Sequence, residues 1–307
     1  MDPVTSKDAH QPAPTTEAGQ AAHEIVWSAL PQAPLTLEGG AVLHQIVRWR
    51  RAAWRRMAAS ERGRIVAAAS EWLAAAEARE DGQSGLYELL GPKGDWLWVH
   101  FRPDFMELHR TQRELAALEL WEWFEPAWTF VSVVELGLYE STTKLWEDLA
   151  ARGVEPHGAE WNAEVEQLLA RQRKAMLPRL YPRLPDSAWI CFYPMNRRRG
   201  EHKNFYRTPM PVRRALMREH GETGRRFADR VRQIVTSSMG LDDWEWGVTL
   251  FADDPLDFKK LIYEMRFDEA SAEYAEFGPF YVGLRCPASE LARRMNASEG
   301  ASGGRGS

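Results

Sequence analysis

Cysteine is almost missing from this chain: Cys191 and Cys286 are the only two in 307 residues. They are too few for a disulfide framework and lack the C-x-x-C spacing of zinc or redox sites, so a reducing, cytoplasmic setting is expected. Long hydrophobic runs are missing as well. The most apolar internal stretch, Ala127 to Tyr139, is broken by Glu135 and falls far short of the roughly 20 residues of a membrane helix. Met1 to Ala22 mixes Asp, Thr, Gln, Pro and Ala without an apolar core, which excludes a secretory leader; residues 1–22 read as a loose tail. There is no basic excess, since 39 Lys and Arg stand against 44 Asp and Glu for a net charge of −5. That balance argues against broad nucleic-acid or anionic-membrane binding, and leaves small molecules or other proteins as partners. Walker loops, G-x-G-x-x-G, H-E-x-x-H and G-x-S-x-G are all missing, which removes the commonest nucleotide, zinc-protease and serine-hydrolase readings.

What is present is a large apolar fraction, 44%, and a pattern that occurs twice. Ala41 to Arg50 alternates like a strand, and Ser60 opens a helix that places Ile65, Ala69, Trp72 and Leu73 on one face. Leu86 to Leu90 and Asp95 to Phe101 flank a Gly-Pro-Lys-Gly turn, Pro103-Asp104 starts a second helix, and Trp128 to Tyr139 is rich in strand formers. The second pass runs strand Ala188 to Met195, helix Pro211 to about Val231, a hairpin of Gln233 to Ser238 with Asp243 to Phe251, a helix from Pro255, and strand Phe277 to Leu284. Both passes read β-α-β-β-α-β. They also rhyme: Asp95-Trp96-Leu97-Trp98 precedes one helix and Asp243-Trp244-Glu245-Trp246 the other. An internal duplication of a ferredoxin-like unit follows, an α+β class whose two sheets can cover each other. Residues 23–140 form the first half, 141–185 a helical connector, 186–286 the second half, and 287–307, turning to Ser, Gly, Ala and Arg, a second loose tail.

Chemistry concentrates in the second half. Tyr193-Pro194-Met195-Asn196 ends a buried-looking strand and runs into Arg197-Arg198-Arg199. This is either a solvated basic loop or a phenol beside guanidiniums able to grip carboxylates. In Glu219-His220-Gly221 the histidine sits where glycine interrupts a helical stretch. A lone histidine there is either a packed or capping residue or a metal ligand. A single imidazole without a metal-spaced companion suits haem iron, which brings four nitrogens of its own, and suits zinc poorly. His10, His44, His100, His109 and His157 are isolated and read as structural.

The runs Tyr193-Pro194-Met195, Glu219-His220-Gly221 with Thr223-Gly224-Arg225, Trp244 to Phe251, and Tyr263-Glu264-Met265-Arg266-Phe267-Asp268-Glu269 resemble the coproheme decarboxylases of the chlorite dismutase-like superfamily. Phe101-Arg102-Pro103 and Ser132-Val133-Val134-Glu135-Leu136 in the first half extend the resemblance to roughly residues 23–286. It implies two ferredoxin-like halves closing as a dimeric α+β barrel, usually in a homopentamer. By motif position, His220 would be the axial iron ligand and Tyr193 the radical-forming catalytic tyrosine. Arg179, Met195, Arg197, Gln233, Arg266 and Ser271 fall near positions that line the porphyrin and hold its propionates. Arg197 departs from a lysine common in relatives. The residues after Tyr139 depart from the pattern, so that tyrosine stays outside the set.

The resemblance implies a haem-biosynthetic oxidoreductase. Iron coproporphyrin III would be both cofactor and substrate, hydrogen peroxide the oxidant and haem b the product, with two propionates decarboxylated through a tyrosyl radical. Chlorite dismutases carry arginine where this chain has Gln233. They remain an alternative, as does a non-catalytic haem carrier or sensor.

Overall fold

The computed structural model describes residues 25–296; the expected tail at 1–22 and His10 lie outside them. The first half comprises strand β1 (Thr36–Trp49), a short turn α1 (Arg51–Trp54), α2 (Ala59–Ala78), the hairpin β2 (Ser84–Leu89) and β3 (Trp96–Arg102), α3 (Phe105–Ala116) and β4 (Phe124–Gly137). Helices α4 (Tyr139–Ala151) and α5 (Ala159–Leu180) connect it to β5 (Trp189–Arg197), α6 (Met210–Arg225), the hairpin β6 (Arg232–Ser237) and β7 (Trp246–Ala252), then α7 (Leu256–Met265), α8 (Glu269–Tyr274), β8 (Ala275–Phe277), β9 (Tyr281–Arg285) and α9 (Ala288–Asn296). Each half has the expected β-α-β-β-α-β order. The strands form one antiparallel sheet ordered β7-β6-β4-β1-β3-β2-β9-β5-β8, and pairing of β5 with β7 closes it into a barrel.

Strand alternation builds this closure. Val42 and Ile46 of β1, Val134 of β4, Ile190 and Phe192 of β5 and Ile234 of β6 point into the barrel and pack with Tyr87, Leu97 and Phe251. The intervening residues of β5, Cys191, Tyr193 and Met195, face outward toward the helices of the second half. One core therefore fills the barrel, and a second apolar layer lies outside it in each half.

Several details differ from the sequence reading. Helix α6 ends at Arg225 rather than near Val231, and β4 runs Phe124–Gly137 rather than Trp128 to Tyr139. β1 starts at Thr36, five residues before the expected Ala41, because the register slips between Glu38 and Ala41 and the strand continues past a bulge. Gly39 sits in that bulge where the end of α5 crosses: a Cβ there would lie 2.6 Å from the Leu180 carbonyl carbon. Ser60 does not cap α2; the helix begins at Ala59 and Ala58 holds the cap position without a side-chain bond. The last strand is split. Pro194 of β5 has no N–H to offer a ladder, and its carbonyl instead accepts the Gly278 N–H at 2.8 Å, so β8 and β9 pair with β5 on either side of the gap. Finally, residues 288–296, expected to be part of a loose tail, form α9. Its Ala288, Leu291 and Met295 fall on one helical face and pack into the outer layer of the first half beside Ile65, Ala69 and Leu73 of α2.

Candidate functional site

α6 is the element that brings His220 to an opening. Its buried side chains are Met210, Arg213, Leu216 and Thr223, a poor apolar stripe, and its main contacts are to α4, α7 and α8 rather than to the barrel strands. A cavity of about 930 Å³ remains between α6, strands β6 and β4, the start of α4 and the Pro178 to Pro185 connector, at the upper end of the roughly 300–1,000 Å³ of small-molecule sites. A smaller cavity of about 220 Å³ near Gly40, Gln83 and Tyr181 contains no histidine. Only the larger one joins a metal-binding side chain to enough space.

His220 borders this cavity. Its Nδ1 lies 3.2 Å from both carboxylate oxygens of Asp268. An ionised carboxylate only accepts, so Nδ1 carries the proton and Nε2 keeps its lone pair. Asp268 is itself held: it accepts the Ser271 N–H at 2.9 Å and the Ser271 hydroxyl at 3.1 Å. Burial works to raise its pKa, but the hydrogen bonds from His220 and Ser271 keep it below the usual carboxylate range. Gly221 and Gly224, on the same stretch of α6, also border the space. A Cβ at Gly224 would come within 3.2 Å of the Gln233 Nε2, so the bare helix face leaves room that any other residue would take.

Gln233 lines the facing wall and donates weakly to the Gly224 carbonyl at 3.5 Å. Arg179, Arg183, Arg225 and Arg232 stand at the rim, and among the described residues none of the four makes an ion pair. Of the two acids on the lining, Glu140 is engaged by Lys144 at 3.3 Å and Arg214 at 3.9 Å; Glu135 is the other. The rim therefore carries surplus positive charge, arranged for a ligand with several carboxylates.

Of the eight residues singled out from sequence, His220, Gln233 and Arg179 line the cavity. Ser271 sits behind His220 as a partner of Asp268 and not on the lining. Arg197 is buried beside the site. Its Nη1 donates to the Ala270 carbonyl at 3.0 Å, Nη2 reaches the Met217 sulfur at 3.4 Å, and its plane lies 4.9 Å over Phe205. Tyr193, Met195 and Arg266 gather in the apolar layer next to it. Tyr193 is only 4% exposed and stacks on Phe280 at 4.5 Å, and Arg266 covers Phe277 at 3.8 Å. Burial pushes the Tyr193 phenol well above its ordinary pKa, and among the described residues its hydroxyl makes no hydrogen bond. Met265 belongs both to this layer and to the cavity wall. Sequence reasoning missed Asp268, Glu135 and three of the rim arginines. Asp268 and Glu135 lie inside the runs that carried the resemblance, and Arg232 directly precedes Gln233. Tyr139, set aside from sequence, borders the cavity.

The donor set also decides which metal chemistry is possible. Among the described residues no group of three or more His, Cys, Asp and Glu side chains could hold a bare ion. One imidazole with a carboxylate-anchored Nδ1, facing a smooth glycine surface and a basic rim, fits an iron porphyrin, which needs a single protein ligand.

Residues 62–286 match the chlorite dismutase family model. A protein of Natronomonas pharaonis, provisionally named a heme-binding protein, is 40% identical over 267 residues; these cover 85% of this chain but 41% of that relative, so the chain spans less than half its length. Among solved structures, a heme-binding protein of Thermus thermophilus is 35% identical with a TM-score of 0.73, over 87% of this chain and 98% of that one. A mutant chlorite dismutase of Candidatus Nitrospira defluvii shares the fold, at 15% identity and a TM-score of 0.62 over 85% of this chain and 98% of that one. By the match over most of its length, the chain belongs to the chlorite dismutase family.

Proposed function

We propose that this chain binds iron coproporphyrin III and, using hydrogen peroxide, decarboxylates two of its propionates to give haem b. The observation that carries the reading is His220, its Nδ1 fixed by Asp268 and its Nε2 free, in a cavity rimmed by unpaired arginines. The names of the Natronomonas and Thermus relatives support haem as the ligand class. Gln233 supports decarboxylation over chlorite chemistry, because a neutral amide offers a chlorite-derived anion less than the arginine of chlorite dismutases.

Bound iron porphyrin supplies redox chemistry with peroxide and is also the substrate. The chain's residues supply placement. His220 holds the iron and Asp268 keeps its ring in the productive tautomer. Arg179, Arg183, Arg225 and Arg232 hold the carboxylates. Tyr193, kept protonated by burial, gives up its phenolic hydrogen atom, and the resulting oxygen radical takes a hydrogen from the propionate carbon next to the ring. Each propionate then consumes one peroxide and one proton and yields a vinyl group, CO2 and two waters. For this, Tyr193, which does not line the cavity, must come into contact with the porphyrin; Met265 is shared by its apolar layer and the cavity wall.

That requirement defines the second reading, a non-catalytic haem carrier, which the burial of Tyr193 favours. Mass spectrometry of the protein loaded with iron coproporphyrin and titrated with peroxide separates the two: two CO2 are lost, or the porphyrin mass stays unchanged. Tyr193→Phe should bind porphyrin and leave it intact, and full turnover by that variant would remove the radical role. An unaltered iron spectrum in His220→Ala would remove the ligand assignment. The same reading carries a homo-oligomer, a pentamer by family, and a cytoplasmic setting. Light scattering of the purified chain tests the former. No helix among the described residues is long and apolar enough to cross a membrane.

A further inference from the structure

The cavity needs one group that can take a proton, and the lining narrows the choice to Glu135. Hydrogen peroxide must lose a proton to become a strong ligand and nucleophile, and Gln233 cannot accept it. The titratable and charged groups around this space come from every neighbouring element. On α6, His220 is committed through Nδ1 to Asp268, and Arg225 is a guanidinium with no acceptor to offer. On α4, Glu140 is held by Lys144 and Arg214, and burial keeps the Tyr139 phenol neutral. Arg179 and Arg183 on the connector and Arg232 on β6 are permanent cations. Glu135 of β4 remains, a partly buried carboxyl that makes no ion pair among the described residues.

Its placement is built by the sheet. Val134 and Ile234 point into the barrel core, so Glu135 and Gln233, their neighbours along β4 and β6, project from the opposite side and meet in the same cavity wall. Across the ladder on β1, Glu135 pairs directly with Glu38, whose Oε1 accepts the Thr36 hydroxyl and whose carbonyl accepts Arg173 of α5 at 3.0 Å. Two carboxyls set opposite each other on adjacent strands disfavour double ionisation. Burial raises the Glu135 pKa first of all; a hydrogen bond from Ser237 opposes this and Glu38 adds to it.

We propose that Glu135 is the general base of this cavity, taking the proton of hydrogen peroxide at the sheet wall, with Glu38 as its cross-strand positioning partner. The proposal rests on the porphyrin and peroxide reading above. An O–H bond of peroxide breaks, its proton moves to the Glu135 carboxylate, and hydroperoxide anion remains. As the O–O bond then cleaves, the same proton goes to the outer oxygen, which leaves as water. The two electrons of that cleavage come from the bound iron porphyrin.

The first arm of the test uses protein without porphyrin. Carboxyl-carbon NMR, with Glu135→Gln identifying the signal, should show Glu135 titrating above the ordinary glutamate range, and Glu38→Gln should move that titration down. An ordinary midpoint that Glu38→Gln leaves in place would overturn the role of Glu38. The second arm follows peroxide-driven CO2 loss on loaded protein from about pH 5 to 9, where a lost general base costs roughly 10²–10⁴-fold in rate. Glu135→Gln should bind porphyrin like the wild type, show that loss at neutral pH, and recover as alkali ionises peroxide itself; Glu135→Asp should restore part of the rate. An active wild type whose rate and pH profile are matched by Glu135→Gln overturns this inference alone. An inactive wild type overturns the decarboxylase reading and the inference with it.

Discussion

The two halves share one topology but treat the space between sheet and helices in opposite ways. In the first half that space is filled. Trp54, Trp96 and Trp98 are buried to 1% exposure or less, α2 adds Ile65, Val66, Ala69 and Leu73, and α9 closes the layer from the far end of the chain. In the second half, α6 presents His220, Gly221 and Gly224 where α2 presents its apolar stripe, and the volume left over is the cavity. The duplication thus supplies one copy that is packed and one that carries a cavity. Removing side chains from a helix face creates the site more directly than adding them does.

The comparison breaks most sharply under exchange of the two treatments. Trp98→Ala, which empties the filled half, should cost about 3–5 kcal/mol in urea denaturation while leaving the porphyrin spectrum intact. Gly224→Leu, which fills the empty half, should do the reverse: the melting curve stays near wild type and porphyrin binding is lost in an absorbance titration. If both variants lose stability equally, the division between the halves is wrong.

Next in size is Asp268→Ala, which leaves His220 in place but removes the acceptor fixing its ring. Iron porphyrin affinity should drop about 10- to 100-fold, read by competitive titration against an apo-globin.

The halves also differ in how acid destabilises them. His44 and His100 of the first half are wholly buried, and burial lowers both to about 3. They stay neutral in the folded chain while the unfolded chain takes up protons from about pH 6.5 downward. Stability is therefore full above that pH and falls as pH drops toward 3, by about 1.4 kcal/mol per unit for each histidine. Asp268 acts in a lower window, with stability lost only as pH falls through a carboxyl pKa held below 3.8. His44→Gln, which can still bond the Thr249 hydroxyl now 3.0 Å from His44 Nε2, should flatten the slope between about pH 6 and 4 by one histidine's share. The smallest effect is Arg232→Gln. One exposed charged contact is worth about 0.2–1 kcal/mol, so porphyrin affinity should fall less than about fivefold, with a weaker salt dependence.

The halves, their element order and the barrel class were legible because turns, strand alternation and helix spacing are local signals, and because the Asp-Trp-x-Trp rhyme repeats them. His220 and Gln233 were legible through motif position. What stayed hidden depends on distance along the chain. Asp268 is 48 residues from the histidine it anchors, and Arg183, Arg232 and Glu135 meet only because the connector folds back over the joint between β4 and β6. The helix α9 was masked by its Ser- and Arg-rich surroundings, although Ala288, Leu291 and Met295 carry the right spacing. The burial of Tyr193 depends on Phe280, which is brought alongside by the break at Pro194.

Closing a ring from two units leaves two joints, and they are short. The halves are laced at one side by Val133 with Ser237 and Val134 with Thr236, and at the other by three pairs from Tyr87 to Leu89, whereas β1 and β4 within the first half run together for most of their length. Fewer ladder bonds mean a lower free energy for local opening. The thinner joint is the one beside the cavity. Amide hydrogen exchange at this joint should therefore outpace exchange along the β1–β4 ladder.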